Sequence, residues 1–317
     1  CYAGHTDVVP PGNIKDWTVN PFKPSVKKNY LIGRGANDMK GSIACFVSAV
    51  NKFLIKKKKF NGSISFLITG DEEGFAINGT KKVVDYLKKR KEKIDFCIVG
   101  EPTNPTKLGE MIKIGRRGSL SGKIEISGTQ GHVAYPHLSN NPINALVSIC
   151  KKLKEKKLDK GNKNFQPSNL EFTAINVDNK AHNVIPSRAK ARFNVRYNSF
   201  HNASTLKRKI NLVVKHVCKI NKCKFKIDFI ANGDSFLTKP EKTIFMTKKI
   251  IQKITKITPR FSTTGGTSDA RFIRKIAPCL EFGLVNKTMH KIDECVSLSD
   301  LKKLTKIYQN ILEDYFR

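Results

Sequence analysis

Five short segments gather the acids and histidines of this chain that could do chemistry: His5-Thr6-Asp7, Asn37-Asp38-Met39-Lys40-Gly41, Asp71-Glu72-Glu73-Gly74, Gly100-Glu101-Pro102 and His290-Lys291-Ile292. A lone His or Asp in a loop is ordinarily solvated or a helix cap. Their recurrence at several apparent strand ends is what points to one site. Two histidines with several carboxylates and no cysteine make an oxygen and nitrogen donor set of the kind that binds zinc, manganese or cobalt. A carboxylate can bridge two such ions about 3.5–4 Å apart, an arrangement used for hydrolysis. In His5-x-Asp7, Asp7 can accept the His5 ring N–H and so fix its tautomer. Glu72 and Glu73 are adjacent and cannot both point the same way from an extended strand end. One can therefore ligate while the other faces a substrate as a base.

The elements that must position these groups follow from the apolar pattern. The first third alternates short apolar runs with helical patterns, the signature of strands joined by helical crossovers in an α/β sheet. A strand end is expected at residues 1–4, helices at 42–57 and 77–89, and strands at 63–69 and 94–100. The acids stand just after these strands, where open α/β sheets place their ligands. From Ser119 the pattern lengthens to alternating stretches at 120–127, 169–177, 184–197 and 224–230, with helices near 142–156 and 204–219. Strand, helix, two strands, helix, strand describes a two-layer α+β sandwich. After Asn232 helix and strand return, at 241–257 and 277–282, and a last helix carries Leu301, Leu304, Ile307, Ile311 and Tyr315. The expected organisation is a first domain of residues 1–118 and 232–317, into which a second, 119–231, is inserted.

Composition agrees with two globular domains and excludes several classes. The chain has 317 residues, 39% of them hydrophobic and 27% charged, which rules out collagen-like, mucin-like and largely disordered proteins. The longest apolar candidate, residues 43–50, is far short of a membrane span, and no membrane partner is expected. The first residues, Cys1-Tyr2-Ala3-Gly4-His5, include no initiator Met and no signal peptide pattern. They read as a strand cut open, so a missing N-terminal segment is expected. Eight cysteines scattered through apolar surroundings without a CxxC pair suggest a reduced, cytoplasmic location. The net charge of +33 comes almost wholly from Lys scattered on presumed helix faces, with few Arg relative to Lys. That pattern predicts weak non-specific binding of nucleic acid at low salt and no specific nucleic-acid partner.

Taken together, the segments 4–12 (Gly4-His5-Thr6-Asp7-Val8-Val9-Pro10-Pro11-Gly12), 33–41 (Gly33-Arg34-Gly35-Ala36-Asn37-Asp38-Met39-Lys40-Gly41) and Asp71-Glu72-Glu73 resemble the metal-site motifs of the M20 family of zinc-dependent amidohydrolases and exopeptidases. Segments 115–119, 128–137 and 263–269 resemble the branch of that family that removes succinate from N-succinyl-LL-2,6-diaminopimelate. The resemblance spans essentially the whole chain. It implies a zinc-exopeptidase-like catalytic domain, with a central mixed sheet flanked by helices, and an inserted ferredoxin-like domain serving as dimerisation and lid domain. It implies two zinc ions per subunit, replaceable by cobalt or manganese. Asp38 would bridge them, with His5 and Glu101 completing one site and Glu73 and His290 the other. The peptide after Asp38 is expected to be cis.

The same resemblance implies that Glu72 is the general base, that Asp7 orients His5, and that His132 of a homodimer's second subunit stabilises the oxyanion. Arg116 and Arg196 suit the substrate's carboxylates, because a guanidinium binds them bidentately where an ammonium cannot. Ser119, Gly266, Thr267 and Asn286 would add hydrogen bonds from the same subunit, with Tyr135 and Asn183 lining the site from the partner. Two rivals stand beside this reading. Another M20 hydrolase, an acetylornithine deacetylase, aminoacylase or carboxypeptidase, would share the metal residues and not the 116–119 and 131–136 contexts. A basic binding protein on a degenerate hydrolase fold would have lost some of the metal positions.

Overall fold

The computed structural model describes all 317 residues, Cys1–Arg317, in two compact units. One comprises Cys1–Gly115, Leu237–Thr263 and Ser268–Arg317, and the other Arg116–Phe236 with Thr264–Thr267.

Along the chain, the first unit opens with strand β1 (Tyr2–His5), helix α1 (Gly41–Lys56), β2 (Phe66–Thr69), α2 (Thr80–Lys89), β3 (Cys97–Val99) and β4 (Met111–Lys113). The second unit follows with β5 (Gly118–Ser127), α3 (Pro142–Glu155), β6 (Asn169–Asn176), β7 (Arg188–Tyr197), α4 (Ala203–Ile220) and β8 (Lys224–Gly233). The chain then returns with α5 (Lys242–Thr255), β9 (Arg260–Ser262), α6 (Ala270–Ile273), β10 (Cys279–Glu281) and α7 (Leu298–Tyr315).

In the first unit six strands form a sheet in the order β9-β4-β10-β3-β1-β2. All neighbours run parallel except β10 and β4, so the sheet is mixed. Its inner strands β1 and β3 are short, largely apolar and buried, whereas the edge strand β2 leaves Phe66 and Ile68 exposed. The core joins Tyr2 and Ile98 from the sheet to Phe46 and Phe53 of α1 and to Leu304, Ile307 and Tyr308 of α7. Tyr2 stacks on Phe46 at 4.2 Å and meets Tyr308 edge-on at 5.7 Å. Each such side chain contributes roughly 1.5–3 kcal/mol by burial.

In the second unit the antiparallel sheet β6-β7-β5-β8 buries one face against α3 and α4. Leu206, Ile210, Val214 and Val217 recur at helical spacing on α4 and close that core. Asn202 starts α4 with a capping box, its side chain accepting from Thr205 N while Thr205 Oγ1 accepts from Asn202 N. Asn141 and Pro142 start α3 in the same economical way, a side-chain cap followed by a first-turn proline.

Some boundaries differ from the sequence expectation for local reasons. The expected strand 184–197 is divided, because Val184–Ile185 pairs with Gly131–His132 and Pro186 interrupts the run before β7. The expected helix start at residue 77 moves to Thr80, because the Asp71 carboxylate takes the N–H groups of Ile77 and Asn78. No helix is long and apolar enough to cross a membrane.

Candidate active site

His5 is the last residue of β1, Thr69 the last of β2 and Val99 the last of β3, and β1 lies between the other two. His5, the 70–79 loop and Glu101 therefore rise together from the carboxyl ends of three neighbouring parallel strands, where the sequence placed them. The Asp38 segment leads into α1, and His290 stands in the loop beyond β10 with a left-handed backbone at φ 63°.

His5 is buried, and its Nδ1 lies 3.0 Å from the backbone oxygen of Asp7. The Asp7 carboxylate is farther, at 3.4 Å, and its other oxygen accepts the N–H of Glu73 at 2.9 Å. The tautomer of His5 is thus set chiefly by the Asp7 carbonyl, and the Asp7 carboxylate places Glu73. His5 Nε2 then faces Asp38 Oδ1 at 3.3 Å and Glu101 Oε1 at 3.8 Å. On the opposite side, His290 Nε2 lies 3.0 Å from Asp38 Oδ2 and 2.8 Å from Glu73 Oε1. Asp38 stands between two imidazoles, with one carboxylate oxygen turned toward each. The Asp38–Met39 peptide is cis.

The electrostatics follow from this crowding. Burial lowers the His5 pKa, but the close Asp38 carboxylate and the charge of Glu101 outweigh it and carry it to about 10. Hydrogen bonds to Asp38 and Glu73 carry His290 to about 10 as well. Burial pushes Asp38 up, yet its bond to His290 and the nearby His5 imidazole hold it at about 2. Glu72 is raised to about 7, first by burial and then by the charge of Asp269. Glu101 is driven well above the ordinary range by burial and by the charges of Asp38 and Glu72.

The donor set fits divalent metal. His5, Asp38 and Glu73 bring ligating atoms within 4.8 Å of one another, and so do His5, Glu72 and Glu101. His5 Nε2 and Asp38 Oδ1 are buried and make no hydrogen bond of good geometry, although such groups cost free energy unless something pairs with them. A cation that replaces the protons on these groups would let the carboxylates and imidazoles act as its ligands.

The second unit holds the other expected residues except Asn286, in two places. Arg116, largely buried, donates to the carbonyl of Gly266 at 3.2 Å and to that of Thr264 at 3.4 Å, which places it against the segment carrying Thr267. Arg196 on β7 is the cross-strand partner of Ser119 on β5, and Ser119 Oγ accepts from Asn194 at 3.1 Å. Elsewhere, His132 pairs with Val184, its ring lies 5.9 Å from that of Tyr135, and Val133 N donates to the carbonyl of Asn183. His132, Tyr135 and Asn183 are all exposed. Asn286 begins a short turn in the first unit, its N–H bonded to the Asn104 carbonyl.

Sequence reasoning missed two supporting groups. Glu294 is fully buried and accepts the backbone N–H groups of Asn37 and Asp38 at 2.9 and 3.0 Å. Its other oxygen meets Arg34 Nη1 at 2.7 Å, and Arg34 also donates to the carbonyls of Lys291 and Pro10 and lies over the Trp17 ring. The second group, Thr80 with Asp269, lies at the base of the Glu72 loop. An acid four residues after His290 was the available signal for Glu294, but spacing alone does not separate a buried carboxylate from a solvated one.

A mixed α/β sheet whose strand ends gather two imidazoles and several carboxylates defines a metal-dependent hydrolase. A family model described as Peptidase family M20/M25/M40 matches residues 1–314, and the chain belongs to that family. It is 66% identical over 315 residues to a succinyl-diaminopimelate desuccinylase of Pelagibacter ubique, covering 99% of this chain and 82% of that protein. It is 48% identical over 316 residues to a protein of the same name from Wolbachia pipientis wMel, covering 100% of this chain and 78% of the other. Among solved structures, aminopeptidase PepT from Bacillus cereus superposes with a TM-score of 0.82 at 19% identity, over 100% of this chain and 80% of that one. An M20 family metallo-carboxypeptidase, Sso-CP2 from Sulfolobus solfataricus, gives 0.77 at 19% identity over 99% and 84%. These two share the fold.

Proposed function

We propose that this chain hydrolyses the succinyl amide of N-succinyl-LL-2,6-diaminopimelate, releasing succinate and LL-2,6-diaminopimelate, as a two-zinc homodimeric enzyme of the cytoplasm. The observation that carries the reading is Asp38, whose two oxygens face His5 at 3.3 Å and His290 at 3.0 Å. That is the disposition of a carboxylate shared between two cation sites. His5 and Glu101 would complete one and Glu73 and His290 the other. The likeness to desuccinylases from several organisms supports the substrate, and eight free cysteines support a reducing compartment.

Bound metal supplies Lewis-acid charge and a water acidic enough to act near neutral pH. Glu72 takes the proton of the attacking water and returns it to the leaving amine. A carboxyl beside the attacking water, able to take and return one proton, is suited to both tasks. Asp7 keeps the His5 ring in register and Glu73 in place. Arg116 and Arg196, beside Ser119, Gly266 and Thr267, hold substrate carboxylates by paired N–H donors, and Asn286 adds a hydrogen bond. The segment 119–231 serves as dimerisation and lid domain. Its sheet ends in the edge strands β6 and β8, which expose Ile175 and Ile230. The exposed His132, with Tyr135 and Asn183, acts on the substrate held by the second subunit, His132 donating to the oxyanion.

The test is succinate release from N-succinyl-LL-2,6-diaminopimelate by purified protein, with and without zinc, beside N-acetylornithine. Zinc-dependent turnover of the succinyl substrate alone is expected. Turnover of N-acetylornithine instead, or of neither by a folded protein holding two ions, would overturn the substrate.

A further inference from the structure

We propose that Thr80 and Asp269 are positioning residues for the loop that carries Glu72 and Glu73, fixing through hydrogen bonds at its base where both carboxylates stand. The proposal deepens the reading of Glu72 as base and Glu73 as ligand and rests on it for its catalytic consequence.

The 70–79 loop leaves the sheet at Thr69 and enters α2 at Thr80, and its two ends meet. Thr69 Oγ1 and Thr80 Oγ1 are 2.8 Å apart. A Cβ on Gly79 would stand 2.4 Å from the carbonyl oxygen of Gly70, so only glycine allows the neck to close. Within the loop the Asp71 carboxylate accepts the N–H groups of Phe75, Ile77 and Asn78 at 3.1, 2.7 and 2.7 Å. The loop is therefore bonded to itself, and its orientation is set where it is held from outside.

Glu73 is held from outside by its carboxylate, 2.8 Å from His290 Nε2, and by its own N–H, while the neck of the loop is held separately. Glu73 N donates to Asp7, which ties the acidic turn to the strand of His5. At the neck, Thr80 Oγ1 donates to Asp269 Oδ2 at 2.5 Å, with Thr80 3% and Asp269 5% exposed. A carboxylate accepts, so the Thr80 proton is committed to Asp269, and Thr69 must donate to Thr80. The chain has one direction: Thr69 to Thr80 to Asp269. Asp269 is itself anchored, since its carbonyl accepts from Phe272 and Ile273 of α6 and the adjacent Ser268 hydroxyl donates to Glu281 at the end of β10. The line runs from the sheet through Ser268 and Asp269 to both ends of the loop. Losing it frees the neck, and a displacement of about 1 Å at a reacting group can cost on the order of 100-fold in rate.

The test compares Thr80→Val, which keeps shape and removes the hydroxyl, with Thr80→Ser, which restores it. For the metal-loaded full chain, Thr80→Val should lower kcat about 30- to 100-fold. KM should stay within about threefold, as when only the transition state is affected, and metal content should be unchanged because Asp7 and His290 still hold Glu73. Amide exchange of the peptide covering 70–79 should quicken about tenfold or more, while α7 stays protected. Thr80→Ser should recover both. Wild-type exchange in the loop with kcat within twofold would overturn the proposal. So would a serine variant as poor as valine with faster exchange throughout, because that marks a general packing defect. If the wild-type protein does not turn over the succinyl substrate, the function proposed above fails, and the exchange comparison still decides this one.

Discussion

Glu294 Oε1 accepts the backbone N–H of Asp38 at 3.0 Å, across 256 residues of sequence, while Glu294 Oε2 pairs with the guanidinium of Arg34 at 2.7 Å. This buried pair gathers the chain segments of Pro10, Asp38 and Lys291, the last next to His290. Its net value against an apolar pair is small, but breaking it is costly, because one partner is left charged and buried. Glu294→Ala should therefore destabilise the fold by about 3–5 kcal/mol and weaken metal binding. Adding Arg34→Met should recover part of that loss, since the two effects are coupled. Urea unfolding of the single and double variants measures the coupling, and additive losses would mean the pair does not act as a unit.

Glu72 and Glu73 should separate cleanly on substitution although they are neighbours. Glu73 Oε1 lies 2.8 Å from His290 Nε2, and its N–H is held by Asp7, so Glu73→Ala should lose metal and activity together. Glu72→Ala should keep two ions and lose about 100- to 10,000-fold in kcat, the usual range for a positioned acid or base. Metal content by elemental analysis, read beside turnover, distinguishes them. A Glu72→Ala protein without metal would make Glu72 a ligand, as its grouping with His5 and Glu101 permits.

The candidate segments of this centre were legible in the sequence as acids and histidines near apparent strand ends, while their separate roles came from the family resemblance. His5, Glu72 and Glu101 lie at or just past the carboxyl ends of three neighbouring parallel strands, where an open α/β sheet places its ligands, whereas Asp38, before α1, and His290, in the loop beyond β10, are brought to them by the fold. What was not legible depends on pairings distant in sequence. Nothing local marks Glu294 as buried against Arg34, or Asp269 as the acceptor of the Thr80 proton. The helix expected from residue 77 failed because a local competitor, the Asp71 carboxylate, captures backbone N–H groups that a helix start would leave free. The strand expected across 184–197 failed at Pro186, which periodicity does not weigh.

The exposed position of His132 makes its proposed role separable from stability. Its Nδ1 accepts only the N–H of Ala134, at 3.1 Å, and the ring contributes nothing to the core. His132→Ala should change stability by no more than about 0.5 kcal/mol and lower kcat about 100- to 1,000-fold, the cost of losing one oxyanion donor. Because the residue is proposed to act on the other subunit's substrate, mixing inactive His132→Ala protein with inactive Glu72→Ala protein should restore activity as heterodimers form. A mixture that stays inactive after verified exchange of subunits would place His132 within its own subunit's chemistry, or outside the reaction.

Acid stability should be governed in the second unit by Asp159. This carboxylate accepts from Gly161 N, Asn198 Nδ2 and Ser168 N, and His201 Nε2 lies 3.0 Å from it. Burial pushes its pKa up, but the bonds from Ser168, Gly161 and Asn198 prevail and hold it at about 2, below the ordinary 3.8. A folded-state pKa below the unfolded one means that the unfolded chain binds the proton more readily. The stabilisation is therefore complete above about pH 4 and fades as pH falls toward 2. Thermal unfolding of the wild-type protein should show a declining midpoint across that window. Asp159→Asn should begin less stable at pH 7, by roughly 1.5–3 kcal/mol for lost hydrogen bonds to a charged group, and decline less steeply. Parallel pH profiles for the two proteins would show that Asp159 carries no share of the acid sensitivity.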